Sequence, residues 1–186
     1  MKRLFLLSFL IVGLLATTSV LARSKRVTDA DIPRNLPTVD AVSIEWTDPA
    51  EFSDIRYSGN RWEAVQGNWV VDLASHLQKR AAKQLAPGQQ LKITITDIRR
   101  AGMYEPGRGM NFDRIRVIKD IYPPRVTLNF TLEDASGQVI AQGERKLVDG
   151  AFLMGASPIN DTDTLRYEKR MLDNWLSSEF KVSREV

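Results

Sequence analysis

The chain reads as an α+β domain: a two-layer sandwich of a mostly antiparallel, four- to five-stranded sheet with two helices on one face. Three observations predict it. Each candidate strand alternates apolar and polar residues with a period of two, so one face is buried and the other meets water. No strand is apolar throughout, as it would be between two layers of helices. Two longer stretches repeat apolar residues at helical spacing, enough to cover one sheet face.

The first 40 residues stand outside that domain. Met1-Lys2-Arg3 is a basic start, and Leu4 to Ala16 is apolar apart from Ser8 and Gly13. Val20 and Ala22 place small residues at −3 and −1, so residues 1–22 are expected to be an export signal cut after Ala22. The apolar run is about a dozen residues, short of the roughly 20 that span a membrane, so no stable anchor is expected after cleavage. Residues 23–40 are polar with Pro33 and Pro37, and read as an extended or mobile leader. Residues 41–186 are expected to form a single domain.

Cysteine is absent, which removes thiol catalysis, zinc–cysteine sites, disulfides and lipidation at an N-terminal cysteine. A short signal without disulfide staples fits the periplasm of a Gram-negative bacterium. Lys2 and Arg3 leave with the signal, so 26 basic residues become 24 against 23 acidic ones. That near-neutral balance carries no nucleic-acid signature.

Strand one is Ala41 to Trp46, where Val42, Ile44 and Trp46 alternate with Ser43 and Glu45. Asn60, with Glu63 three residues on, offers a capping box. The helix it starts is expected to reach about Leu85, carrying Val65, Trp69, Leu73, Leu77 and Ala81 on one side. Gly67 and Asn68 weaken its first turns, so its start is also readable nearer residue 68. Strand two is Leu91 to Asp97, and the intervening helix allows it to lie parallel to strand one. Strand three, Arg125 to Glu133, directs Val126, Leu128, Phe130 and Leu132 to one face. Asp134-Ala135-Ser136-Gly137 reads as a turn joining it to a strand at Gln138 to Leu147. A final helix runs from Asp161 or Asp163 to Phe180, with Leu165, Leu172, Leu176 and Phe180 on one stripe and Trp175 beside it.

Trp46-Thr47-Asp48-Pro49 with Phe52-Ser53-Asp54, then Ile115 to Arg125 and Arg166 to Trp175, resemble an uncharacterised family of proteobacterial exported proteins. That family is catalogued as domain of unknown function 3016. The resemblance covers residues 40 to 180 and implies export, but no activity and no site residues.

Catalytic constellations are scarce. His76 is the only histidine and reads as a helix-border structural residue; no G-x-S-x-G elbow or phosphate-binding glycine loop occurs. Asn160-Asp161-Thr162-Asp163 fails the calcium spacing at Leu165 and reads as helix capping. Arg166, Glu168, Lys169, Arg170 and Asp173 read as a solvated, ion-paired helix face. No metal or cofactor is expected.

Residues 99–125 are the one region that the fold does not explain, because connections inside compact domains are usually shorter than about 15 residues. They hold Arg99, Arg100, Arg108, Arg114, Arg116, Lys119 and Arg125 against Glu105, Asp113 and Asp120, with Tyr104 and three glycines. Arginines beside glycines and an aromatic ring suit phosphate or carboxylate ligands. The eight ligand-binding candidates are therefore Arg99, Arg100, Tyr104, Arg108, Arg114, Arg116, Lys119 and Arg125. The competing reading is a partly ordered loop, including a short strand at Ile115 to Ile118, whose arginines pair with nearby carboxylates. The expected function is a non-catalytic, envelope-associated binding protein for an anionic component or a protein partner. The alternative is an envelope glycan hydrolase using Glu105, Asp113 and Asp120.

Overall fold

The computed structural model describes residues 25–107, 109, 112–154 and 161–182. The expected export signal, Asn160 of the capping segment and Arg108 of the basic segment lie outside them. In chain order the elements are β1 (Val42–Trp46), a single 3-10 turn at Pro49–Glu51, and the short helices α1 (Ser53–Arg56) and α2 (Arg61–Ala64). Then come α3 (Trp69–Ala82), β2 (Gln90–Arg99), β3 (Met103–Tyr104) and, after a second 3-10 turn, β4 (Arg116–Val117). The chain closes with β5 (Arg125–Glu133), β6 (Val139–Val148) and α4 (Arg166–Val182).

The architecture is α+β: a mixed four-stranded sheet of order β1-β2-β5-β6, a separate two-stranded sheet β3-β4, and the helices. β1 and β2 are parallel because α3 carries the chain back between them. β2–β5 and β5–β6 are antiparallel. The β5–β6 turn closes on Asp134, whose Oδ1 accepts from the Ser136 and Gln138 backbone N–H groups, with Gly137 at φ 82°.

One core joins the inward sheet side chains, such as Ile44, Ile93 and Leu128, to Leu73 and Leu77 of α3 and Leu172 and Leu176 of α4. Trp175 meets Phe130 edge-on at 5.9 Å between ring centroids. His76 of α3 shares Asp173 of α4 with Arg80, at 2.9 and 3.0 Å, a polar link on the border of the two helices.

Four local expectations are corrected. The single helix expected from Asn60 is two: Asn60 caps α2 by accepting from the Glu63 N–H, and Gly67, at φ 86°, ends that run before α3 begins. The five-stranded option fails, because residues 103–104 and 116–117 pair only with each other. Glu168 is not on a solvated face: it is 1% exposed, while Lys169 pairs with Asp163 and Arg170 with Asp149. Strand two does not stop at Asp97. A bulge between Ile95 and Asp97 carries it on to Arg99.

That bulge resets which way the strand's side chains point. Leu91, Ile93 and Ile95 face the core, so strict alternation would turn Asp97 and Arg99 inward and Ile98 outward. The extra residue, Thr96, shifts the phase by one. Ile98 is fully buried as a result, and Arg99 emerges on the outer face.

Residues 25–40 are bound to the domain along their length. The Val27 N–H donates to the Val65 carbonyl and the Gly67 N–H to that of Lys25. Further on, the Leu36 N–H donates to Ile44 and the Trp46 N–H to Arg34. Val27 is itself a core residue.

Candidate functional site

The segment 99–125 closes one end of the sheet, and its organising centre is a carboxylate from outside it. Asp54 of α1 is almost completely buried and takes both Arg100 and Arg116. Arg100 donates its backbone N–H, Nε and Nη2 to Asp54 at 2.9, 2.9 and 2.7 Å, while Nη2 also reaches the Ala64 carbonyl. Its guanidinium lies 4.3 Å from the centre of the Trp69 ring. Arg116 donates through Nη2 to Asp54 Oδ1, which also accepts the Arg100 backbone N–H, and to the carbonyls of Ala101 and Arg100, at 2.7 and 2.9 Å. Tyr104 is in the core, beneath the Arg116 guanidinium. Burial pushes the Asp54 carboxyl up, and the two guanidiniums, Arg100 ahead of Arg116, more than reverse this to hold it below its ordinary range.

Glu168, from the first turn of α4, is the second anchor. Its Oε1 accepts from the Ala101 N–H at 2.5 Å, and its buried Oε2 has no hydrogen-bond partner among the described residues. Burial pushes this carboxyl above its ordinary range; the Ala101 donor and the nearby guanidiniums oppose it only in part. A third pair, Lys119 with Glu105 at 2.5 Å, sits beside the Tyr122 hydroxyl, which donates to the same oxygen. Two glycines permit the packing. A Cβ on Gly59 would stand 2.1 Å from the Tyr104 carbonyl oxygen, and one on Gly102 would stand 2.6 Å from that of Val117.

The eight sequence candidates therefore divide. Arg100, Tyr104, Arg116 and Lys119 point into the segment and hold it. Arg114 is exposed, lies 5.8 Å from the Trp62 ring centre, and reaches Glu63 only at 3.8 Å. Arg99 and Arg125 are direct cross-strand partners on the outer sheet face, and no hydrogen bond or ion pair engages either side chain among the described residues. Arg108 lies outside the described residues. The Thr-rich part of that face bonds locally: Thr94 donates to Glu45 and Thr96 to the Thr127 carbonyl.

Sequence reasoning missed the aromatic half of this end of the molecule. Tyr57 and Trp62 are 62% and 56% exposed, and Phe112, Ile115, Ile118 and Ile121 of the segment are exposed too. The Asn60 side chain, donating to the Asp113 carbonyl at 2.9 Å, ties the helical turns to the segment. The signal for Asp54 was a carboxylate set between Phe52 and Ile55. A hollow of about 10 Å³ beside Asp54, which Tyr57, Ser58, Arg99 and Tyr104 help to line, has room for a water and nothing larger. Among the described residues no group of histidine, cysteine and carboxylate side chains is placed to hold a metal ion. No described helix is long and apolar enough to cross a membrane.

Comparison with curated proteins finds no match, and comparison with solved structures finds none either. The sequence pattern described as "Protein of unknown function (DUF3016)" matches residues 40–178, well over half of the chain, and the chain belongs to that family.

Proposed function

We propose that this is a non-catalytic binding protein of the Gram-negative envelope, exported to the periplasm by a signal cut after Ala22. It contacts an anionic envelope component, or a protein that carries one, through the end of the sheet closed by residues 99–125. In this reading the fold is a two-layer sandwich: α3 and α4 cover one sheet face, and the outer face and the sheet end are left for contact.

One observation carries the reading. Ion pairs among Asp54, Arg100, Arg116, Glu105 and Lys119 hold the segment, and the groups left outside are exposed rings and cations. Exposed large apolar side chains gathered at one place, with arginine among them, are the composition of a contact surface rather than of a solvated loop. Solvation alone would favour lysine, glutamate and serine there.

The test is a thermal-shift screen of purified protein against lipopolysaccharide, anionic phospholipid headgroups and peptidoglycan fragments, at low and high salt. A ligand at 100 times its Kd stabilises the native state by about 2.7 kcal/mol. The expected result is a salt-sensitive rise in melting temperature, lost in the Trp62→Ala/Arg114→Gln double variant while that variant's own melting temperature stays close to the parent's. No rise with any of the panel would remove the anionic-component reading. Export is checked by the intact mass of protein recovered from the periplasm, which should begin at Arg23.

A further inference from the structure

We propose that Arg99 and Arg125 form a two-guanidinium site for a phosphate monoester, on the outer face of the sheet beside Tyr57. The inference rests on the binding reading above and names the chemistry of one part of that surface.

The two arginines are direct partners across the β2–β5 ladder, and Val148 of β6 faces Arg125 on the other side. Like charges placed opposite each other in a sheet repel and cost stability. No ion pair engages either arginine among the described residues. Asp97, two residues before Arg99 on the same face, is turned to α1, where it accepts from the Ser53 N–H and Oγ–H at 2.6 Å each. Lys146 pairs with Thr127 in the ladder, one step along from Arg125, and its own partner is Glu144 at 3.3 Å. Among the described residues neither arginine therefore has an ion-pair partner; the Asp97 carboxylate keeps its charge on the same face but is held toward Ser53.

The bulge at Thr96 is the second observation. Without it Arg99 would face the core and could not stand beside Arg125. A strand irregularity that re-aims one side chain is a recurrent device next to binding sites. Its effect here is to set Arg99 opposite Arg125 on one face, with Arg99 lining the hollow that Tyr57 and Ser58 also line.

The ligand class follows from counting donors and charge. One carboxylate can accept from two guanidiniums, as Asp54 does, but it brings a single negative charge; a dianionic phosphate matches the two positive charges and offers three oxygens that both forks can share. The exposed Tyr57 ring beside them gives the ester group an apolar face to lie on. The phosphate can be free or carried on a lipid, and the two sources present the same atoms to the pair.

The experiment titrates purified protein with inorganic phosphate, with vesicles containing phosphatidic acid, and with succinate and sulfate as controls, all at one ionic strength. Wild type and Lys83→Gln, a change at the exposed C-terminal end of α3, should bind phosphate alike. Arg99→Gln and Arg125→Gln should each weaken it roughly tenfold or more, the effect of losing a charged hydrogen-bond donor. Arg125→Glu should abolish binding yet melt higher than wild type without ligand, because it replaces a repulsive cross-strand pair with an attractive one. Binding to the vesicles but not to free phosphate, lost in the same variants, assigns the site to lipid-borne phosphate. Equal phosphate binding in every variant, equal binding of succinate, or a lower melting temperature for Arg125→Glu would overturn the proposal. No phosphate binding in any form, with envelope components still bound through Trp62 and Arg114, would overturn the pair alone. If those components also fail, the broader binding reading falls with it.

Discussion

Asp54 carries two arginines in a place with almost no water, and this makes it the residue on which the sheet end depends. Two guanidiniums left without it would be buried and uncompensated, which typically costs about 3–5 kcal/mol. Asp54→Asn should therefore lower the urea midpoint sharply, and residues 99–125 should lose protease resistance first. The carboxyl is held below its ordinary value of 3.8, so its contribution is fully present above that value. It is lost as pH falls through the lower folded value. Glu168 has the opposite sign. Its folded value is raised above the ordinary 4.5, so its contribution is present below 4.5 and lost as pH rises through the raised value. Glu168→Gln keeps the acceptor for the Ala101 N–H and cannot ionise. Relative to wild type it should gain stability as pH rises from about 4 toward neutrality, the difference being smallest in acid. Denaturant melts at several pH values measure this directly; a difference that does not change with pH would show that Glu168 does not ionise in the folded protein.

At the scale of elements, the irregular features set the position of the arginines more than the regular strands do. Thr96 is the one residue that the bulge absorbs, so deleting it should remove the bulge and leave strict alternation with Ile98 still inward and Arg99 still outward. Exposing one fully buried isoleucine would cost about 1.5–3 kcal/mol. The deletion should cost less than that in urea melts, and a larger loss would show that the bulge does not set the phase. Strand two was legible up to Asp97 because Leu91, Ile93 and Ile95 alternate plainly; beyond it the alternation contradicts itself, and the register was decided by pairing with β5. The helix after Asn60 met a similar limit. Its cap and its weak point at Gly67 were both visible in the sequence, but the backbone break also depends on Lys25, whose carbonyl accepts the Gly67 N–H from far along the chain.

For the whole molecule, the leader belongs with the fold. Val27 is 5% exposed, and the Arg34 and Leu36 backbones bond to β1. Removing residues 25–40 should cost at least about 2 kcal/mol, the value of burying one such side chain, with more from the exposed flank of β1. A truncated chain starting at residue 41 should melt well below the chain starting at residue 25 in the same buffer. Equal melting temperatures would make the leader an ornament on the surface. The interior arginines show the same dependence on distant parts: α1, α2 and α4 each contribute a group to the segment 99–125, so the sheet end should lose its order as a unit.

The sequence by itself determined the α+β class, the phases of the regular strands, the turn at Asp134 and the apolar stripe of the last helix, and it allowed the parallel first pair. Each of these rests on interactions among neighbours in the chain or on a periodic pattern, and both are written locally. It also concentrated cations in residues 99–125, but not their roles. Only the tertiary structure decided that Arg100 and Arg116 are held by Asp54, that Lys119 is held by Glu105, and that Arg99 stands opposite Arg125 with no ion-pair partner for either among the described residues. The reason is physical: an arginine's role depends on whether a carboxylate lies within about 4 Å. That is a matter of which segments meet in space, and sequence spacing carries no such information for residues as far apart as Asp54 and Arg116.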